Sequence, residues 1–101
     1  MKEFKRTSTG FHYVFESVIK AGETVIVRMP SVSANKRGIN DIGWQCDGDV
    51  ILYGTLSSNP KSDTAMWQEI ADNDEINKAI SAIKIVNNGE ACNIVIRAIL
   101  N

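Results

Sequence analysis

The stretch that decides the fold of this chain is IKIVNNGEACNIVIRAILN, residues 83–101. Two β-branched runs flank Asn88-Gly89, a dipeptide typical of two-residue type I′ turns. With such a turn, Ile85 lies opposite Cys92 and the apolar faces of the two runs coincide. The pattern therefore predicts a β-hairpin. It also predicts a positive φ at Gly89, where an added side chain would cost stability.

A second pair of apolar runs flanks Asp47-Gly48, the other strong two-residue turn signal in the chain. A hairpin closed there places Trp44 opposite Ile51, with Tyr53 on the same face. Apolar side chains occur on both faces of these runs. The pattern therefore favours a central position for this second hairpin.

Two further runs, residues 11–16 and 25–29, alternate apolar and polar side chains with a period of two. Together with the two hairpins they predict one all-β domain over residues 1–101, a small antiparallel β-sandwich of jelly-roll-like type. Residues 1–10 are polar and are predicted to be a flexible arm, or one that orders on a partner. Residues 31–40 are predicted to form an exposed loop.

The chain between the two hairpins is harder to interpret. Asp63-Thr64 can cap a helix, so a short helix is predicted near residues 64–71. Residues 75–84 support two interpretations. Apolar spacing along them is compatible with a helix, whereas alternation from Ile80 onward favours a strand.

Composition narrows the classes of function. The 101 residues are 44% hydrophobic and 23% charged, with a formal net charge of -1. There is no basic excess of the kind that favours nucleic acid or an anionic membrane as a partner. The N-terminus is too polar for a signal peptide, and no apolar run approaches the ~20 residues of a membrane span. A soluble protein is therefore expected, with neither nucleic acid nor membrane as its partner.

The sequence carries no catalytic signature, and we expect no enzyme and no cofactor. His12 is the only histidine, and the glycine-rich nucleotide and serine-hydrolase motifs are absent. Cys46 and Cys92 do not form a Cys-x-x-Cys pair, so two buried free thiols are favoured over a metal site; a disulfide stays open. The acidic clusters at 47–49 and 72–75 do not match a calcium loop.

Three aromatic side chains, those of Trp44, Tyr53 and Trp67, are candidates for a surface that stacks on sugars. Trp44 and Tyr53 fit core packing better, because their predicted hairpin face is apolar. Trp67 lies in a polar, turn-rich region and is predicted to be half exposed. We therefore name Trp67 as a candidate partner contact, together with the basic pair Lys36 and Arg37.

One family resemblance suggests a function. The segments that carry it are DGDVILYGTLS (47–57), WQEI (67–70), IKIVNNG (83–89) and the final apolar strand. In layout, these segments resemble small virion-associated proteins of tailed bacteriophages, several of which are β-sandwiches that decorate or cement the head shell. The resemblance covers roughly the C-terminal half and transfers no functional residues. It implies a structural virion protein, homo-oligomeric, bound to a capsid or other virion protein and assembled in the bacterial cytoplasm.

A second class of function stays open beside this one. A β-sandwich with surface aromatic residues also suits a carbohydrate-binding module that recognises a receptor or glycan. Exposure of Trp44 and Tyr53 together in a groove would favour sugar binding, whereas an apolar patch spanning a symmetry axis would favour assembly.

Overall fold

The computed structural model describes residues 3–7, 12–30, 39–71, 76 and 79–100. Within these residues the chain forms eight strands and no helix. The strands are β1 (Lys5–Arg6), β2 (His12–Ile19), β3 (Thr24–Arg28), β4 (Ile39–Cys46), β5 (Val50–Thr55), β6 (Gln68–Ile70), β7 (Ala82–Asn87) and β8 (Cys92–Leu100). The same residues contain no helix that is long and apolar enough to cross a membrane. The predicted all-β class is confirmed.

The strands described here build two antiparallel sheets of four strands each. Sheet A has the order β1-β2-β8-β4, and sheet B has the order β3-β7-β5-β6. Strands that follow one another in the chain therefore lie in different sheets at four places: β2 to β3, β3 to β4, β4 to β5, and β7 to β8. The first, third and last of these connections lie at the same end of the molecule, where β2, β4 and β7 end.

A single buried apolar cluster draws on both sheets. The cause is strict alternation, which is clearest in β8, where every second side chain is buried. The members of the cluster are Phe15, Ile19, Val25, Val27, Ile42, Leu52, Ile70, Ile76, Ile80, Ile83, Ile85, Ile94 and Ile96. Each fully buried isoleucine stabilises the fold by roughly 1.5–3 kcal/mol relative to an exposed one, so the cluster dominates the stability of the domain.

The predicted hairpin at Asn88-Gly89 is wrong. Strand β7 pairs with β3 and β5, and β8 pairs with β2 and β4. Ile85 lies beside Leu52, and Cys92 lies beside Ile19. The connection crosses from sheet B to sheet A, and Gly22, not Gly89, is the described glycine with a positive φ, 75°. Two runs with matching apolar faces can bury them as neighbours in one sheet or as members of two sheets that share a core. The match of apolar faces around Asn88-Gly89 therefore did not distinguish a hairpin from a connection between sheets.

The predicted hairpin at Asp47-Gly48 is wrong for the same reason. Trp44 pairs with Ile96 in sheet A, and Ile51 pairs with Val86 in sheet B. Trp44 packs against the buried cluster, whereas Tyr53 lies on the outer side of sheet B between two inward-facing neighbours. The two aromatic residues therefore do not share a face.

The short helix predicted near residues 64–71 is not formed. Gln68–Ile70 is strand β6, and it pairs with Leu52–Gly54 of β5. An isolated helix of this length is only marginally stable in water. The extended form instead pairs with the backbone groups of β5 and buries Ile70 in the core. The strand interpretation from Ile80 onward is confirmed, with β7 beginning at Ala82.

Part of the predicted N-terminal arm is attached to sheet A. Lys5 and Arg6 pair with Val14 and Tyr13 of β2. The ring of Phe4 lies 6.1 Å from that of Phe15, centroid to centroid. Residues 1, 2 and 8–10 of the arm and residues 31–38 of the predicted loop lie outside the described residues, whereas the last two residues of the predicted loop, 39 and 40, begin β4.

Asn87 links the connection between β7 and β8 to the one between β2 and β3. Its side chain is 0% exposed. The Nδ2 atom lies 3.1 Å from the carbonyl oxygen of Ile19, 3.2 Å from that of Lys20 and 2.8 Å from that of Glu90. The Oδ1 atom accepts a hydrogen bond of 2.9 Å from the N–H of Gly89. One amide therefore satisfies backbone groups on both connections.

Candidate functional site

Two of the three large apolar side chains that are exposed among the described residues lie on the surface beside β6. Met66 is 83% exposed and Leu56 is 60% exposed. The two side chains border a groove of about 920 Å³ whose lining also includes Trp67, Ile70 and Ile80. We call this area, defined by Leu56, Met66 and Trp67, the β6 surface. Large exposed apolar groups clustered around a groove are typical of sites that contact another molecule.

A lysine lies between two aromatic rings next to the β6 surface. The Nζ atom of Lys84 is 4.7 Å from the ring centroid of Trp67 and 5.0 Å from that of Tyr53. Register explains the arrangement, because Tyr53 pairs with Lys84 on one side and with Glu69 on the other. The ammonium group is attracted to the electron-rich faces of both rings. The contact with Lys84 therefore helps to hold both rings in place, and it places a cationic group beside them.

Of the three predicted contact residues, the structure describes Trp67. Trp67 is half-buried at the β6 surface, in agreement with its predicted half exposure. Lys36 and Arg37 lie outside the described residues. The sugar platform considered for Trp44 and Tyr53 is not formed, because these residues belong to different sheets. Sequence reasoning missed Lys84, since only the pairing of β5 with β7 brings it to the aromatic rings.

A second cluster lies where β4 and β8 meet the connection between β4 and β5. The sulfur atoms of Cys46 and Cys92 are 3.7 Å apart, and both thiols are free. A carboxylate oxygen of Asp47 lies within 4.8 Å of both sulfurs. Burial raises the pKa of the Cys92 thiol, and so do its hydrogen bond with Cys46 and the nearby charges of Asp47 and Asp49. No sequence spacing pointed to this group, because its members meet only through the register of β4 with β8.

The carboxylate of Asp47 is held by one neighbour. Oδ1 accepts a hydrogen bond of 2.7 Å from the backbone N–H of Asn93, and Oδ2 accepts one of 2.9 Å from its side-chain Nδ2. These bonds, the side-chain one first, hold the pKa of Asp47 below its ordinary value. Within the acidic cluster at 47–49, the hydrogen bonds from Asn93 therefore explain the position of Asp47. The second acidic cluster, residues 72–75, lies outside the described residues.

We expect Asn93→Ala to raise the pKa of Asp47 toward its ordinary value, because the largest cause of the lowering is removed. A lowered pKa stabilises the fold at pH values above the carboxyl group's ordinary pKa, and this contribution is lost as the pH falls through the folded-state value. A titration of the Asp47 carboxyl carbon followed by NMR measures the change. Asn88→Ala is the control and should leave the titration unchanged; an unaltered curve in Asn93→Ala would contradict the assignment.

Comparisons of the chain with protein-family models, with curated proteins and with solved structures found no match.

Proposed function

We propose that the chain is a structural protein of a bacteriophage or prophage virion that decorates or stabilises the head shell through protein contacts. The observation that carries the proposal is the β6 surface, with Met66 83% and Leu56 60% exposed around a groove. Burying such side chains against a partner removes apolar surface from water and therefore stabilises the complex. The proposed location is the virion, with assembly in the bacterial cytoplasm.

The position of β6 supports a protein partner. β6 is an edge strand of sheet B, paired with β5 on one side. An edge strand presents backbone N–H and C=O groups that another chain can cover or extend. Apolar side chains and a sheet edge thus occur side by side on the β6 surface, a combination that suits contact with a capsid subunit or with another copy of this chain.

Strand order supports a jelly-roll-like β-sandwich. The orders β2-β8-β4 and β3-β7-β5-β6, with four connections that cross between the sheets, have the alternation of two interleaved Greek keys. The apolar cluster shared by both sheets supports face-to-face packing. Jelly rolls are frequent in viral capsid proteins and in lectins, so the topology fits both classes of function without choosing between them.

The proposal assigns no catalysis to the chain. His12 pairs with Ile99 at one end of β2, and Cys92 pairs with Ile19 at the other end. Seven residue steps along a strand separate these positions by about 23 Å, too far for a cysteine–histidine pair. Function through surface contact is the simpler account. Many weak contacts on a shell gain by avidity, so no single contact has to be strong.

Carbohydrate binding is the second candidate, and one observation favours it. Tyr53 and Trp67 hold their rings near a common cation, and an aromatic pair with a nearby charged group suits a sugar or an acidic glycan. The ammonium of Lys84 already occupies one face of each ring. A sugar would have to use the remaining faces or displace the lysine, and this ranks the second candidate below assembly.

We expect Met66→Glu and Leu56→Glu each to weaken self-association or attachment to phage heads at least ~10-fold, because a carboxylate would lose its water on docking. Val18→Glu is the matched control, since Val18 is 53% exposed but lies on sheet A. Light scattering after size-exclusion chromatography measures self-association, and co-sedimentation with heads of the phage or prophage that encodes the chain measures attachment.

Several outcomes would overturn the assembly proposal. One is a monomer that ignores heads, and another is an equal loss of binding in all three variants. A chain that ignores heads but binds an oligosaccharide, and loses that binding in Trp67→Ala, would establish the second candidate. A gene neighbourhood with capsid, portal or tail genes would support assembly independently.

A further inference from the structure

We propose that Cys46, Asp47 and Cys92 bind a thiophilic divalent metal ion of the zinc class. The site goes beyond the proposed assembly role and does not depend on it. It lies at the end of sheet A, where Asp47 begins the connection to β5 and β8 begins at Cys92. Cys46 and Cys92 come from two neighbouring strands and Asp47 directly follows the first, so the pairing of β4 with β8 brings the three donor atoms together.

The spacing of the sulfurs fits tetrahedral coordination. The two Sγ atoms are 3.7 Å apart. Two thiolates on one zinc ion, each bonded at about 2.3 Å with a tetrahedral angle, are roughly 3.8 Å apart. The third donor, a carboxylate oxygen of Asp47, lies within 4.8 Å of both sulfurs. A small movement of one exposed carboxylate completes a set of three ligands, and water takes the fourth position.

Hydrogen-bond donors already point at both sulfurs. The N–H of Gly48 donates to Cys46 Sγ over 3.4 Å, and Asn87 Nδ2 lies 3.7 Å from Cys92 Sγ. Neighbours of this kind help to orient a metal-bound sulfur. The Asp47 carboxylate is oriented in the same way by its two bonds from Asn93. Each of the three proposed ligands therefore has a polar neighbour beside its donor atom.

Charge and access favour a cation. Two exposed carboxylates, those of Asp47 and Asp49, lie on the connection that begins at the site, and binding would convert both thiols to thiolates with release of their protons. A divalent ion offsets the negative charge that results. Cys92 is buried, Cys46 is half-buried and Asp47 is exposed, so the ion would enter from the side of Asp47.

Titration of the reduced protein with Co²⁺ tests the proposal. We expect a visible spectrum typical of tetrahedral Co²⁺, a sulfur-to-metal charge-transfer band in the near ultraviolet, and displacement of Co²⁺ by Zn²⁺. Cys46→Ser and Cys92→Ser should abolish the charge-transfer band. Asp47→Asn, an exposed position, should weaken Co²⁺ binding at least ~10-fold while the fold is kept, and Asp63→Asn is the matched control on another exposed carboxylate.

Three results would overturn the site. The first is Co²⁺ binding without a charge-transfer band, which would show oxygen ligands only. The second is binding by Asp47→Asn and Asp63→Asn equal to that of the unaltered chain. The third is a Cys46–Cys92 disulfide that, once reduced, still gives no thiolate–metal band; that pair would be redox-active and not a metal site. A far-ultraviolet circular dichroism spectrum of each variant separates loss of ligands from loss of fold.

Discussion

Asn87→Ala is expected to lower the free energy of unfolding by about 3 kcal/mol. The side chain is fully buried, and its Nδ2 atom serves carbonyl groups of Ile19, Lys20 and Glu90. Alanine supplies no donor, and each buried group left without a partner costs ~1–3 kcal/mol. The substitution also leaves the N–H of Gly89 without its acceptor, Asn87 Oδ1. Urea unfolding followed by tryptophan fluorescence measures the change.

Asn88→Ala is the matched control for that prediction. The two residues are neighbours of the same type, but Asn88 is exposed. Its replacement is expected to change stability by less than about 0.5 kcal/mol, as is usual for surface positions. Equal losses in the two variants would show that the connection between β7 and β8 is not held by the buried amide.

Gly48→Ala is expected to destabilise the fold by roughly 1–3 kcal/mol, the usual cost of forcing an extra group into a packed site. A Cβ atom on Gly48 would lie 2.5 Å from the Cβ atom of Cys92 and 3.0 Å from its sulfur. Neither atom can move aside by simple rotation of a long side chain, so the backbone of the connection or of β8 must shift. Thermal unfolding followed by circular dichroism measures the loss.

Gly89→Ala provides the contrast. The nearest atom to an added Cβ there is Asn87 Oδ1 at 3.7 Å, an ordinary contact, and Gly89 does not have a positive φ. The sequence predicted a costly substitution at Gly89 because it predicted a positive φ there, and the structure does not have one. We expect Gly89→Ala to cost clearly less than Gly48→Ala, and the reverse order would mean that Asn88-Gly89 forms the tight turn after all.

The sequence alone determined most of the strands and, for β2, β3, β7 and β8, which side of the strand is buried. Alternation in β8 and β7 predicted that Ile83, Ile85 and Ile94 share the core, and all three are in the buried cluster. It also predicted the half exposure of Trp67. These properties depend on side-chain polarity along one strand, which is local information and is fully contained in the order of residues.

Only the tertiary structure decided which strands are neighbours. An apolar face is buried equally well beside a partner in the same sheet or opposite one in the other sheet, so the pattern around Asn88-Gly89 was compatible with both. The choice brought Lys84 to Tyr53 and Trp67, and it brought Cys46 and Asp47 to Cys92 across 46 positions of the chain. Both clusters consist of residues distant in the chain. Their proximity depends on strand pairing and register, and these are set by how the whole core packs.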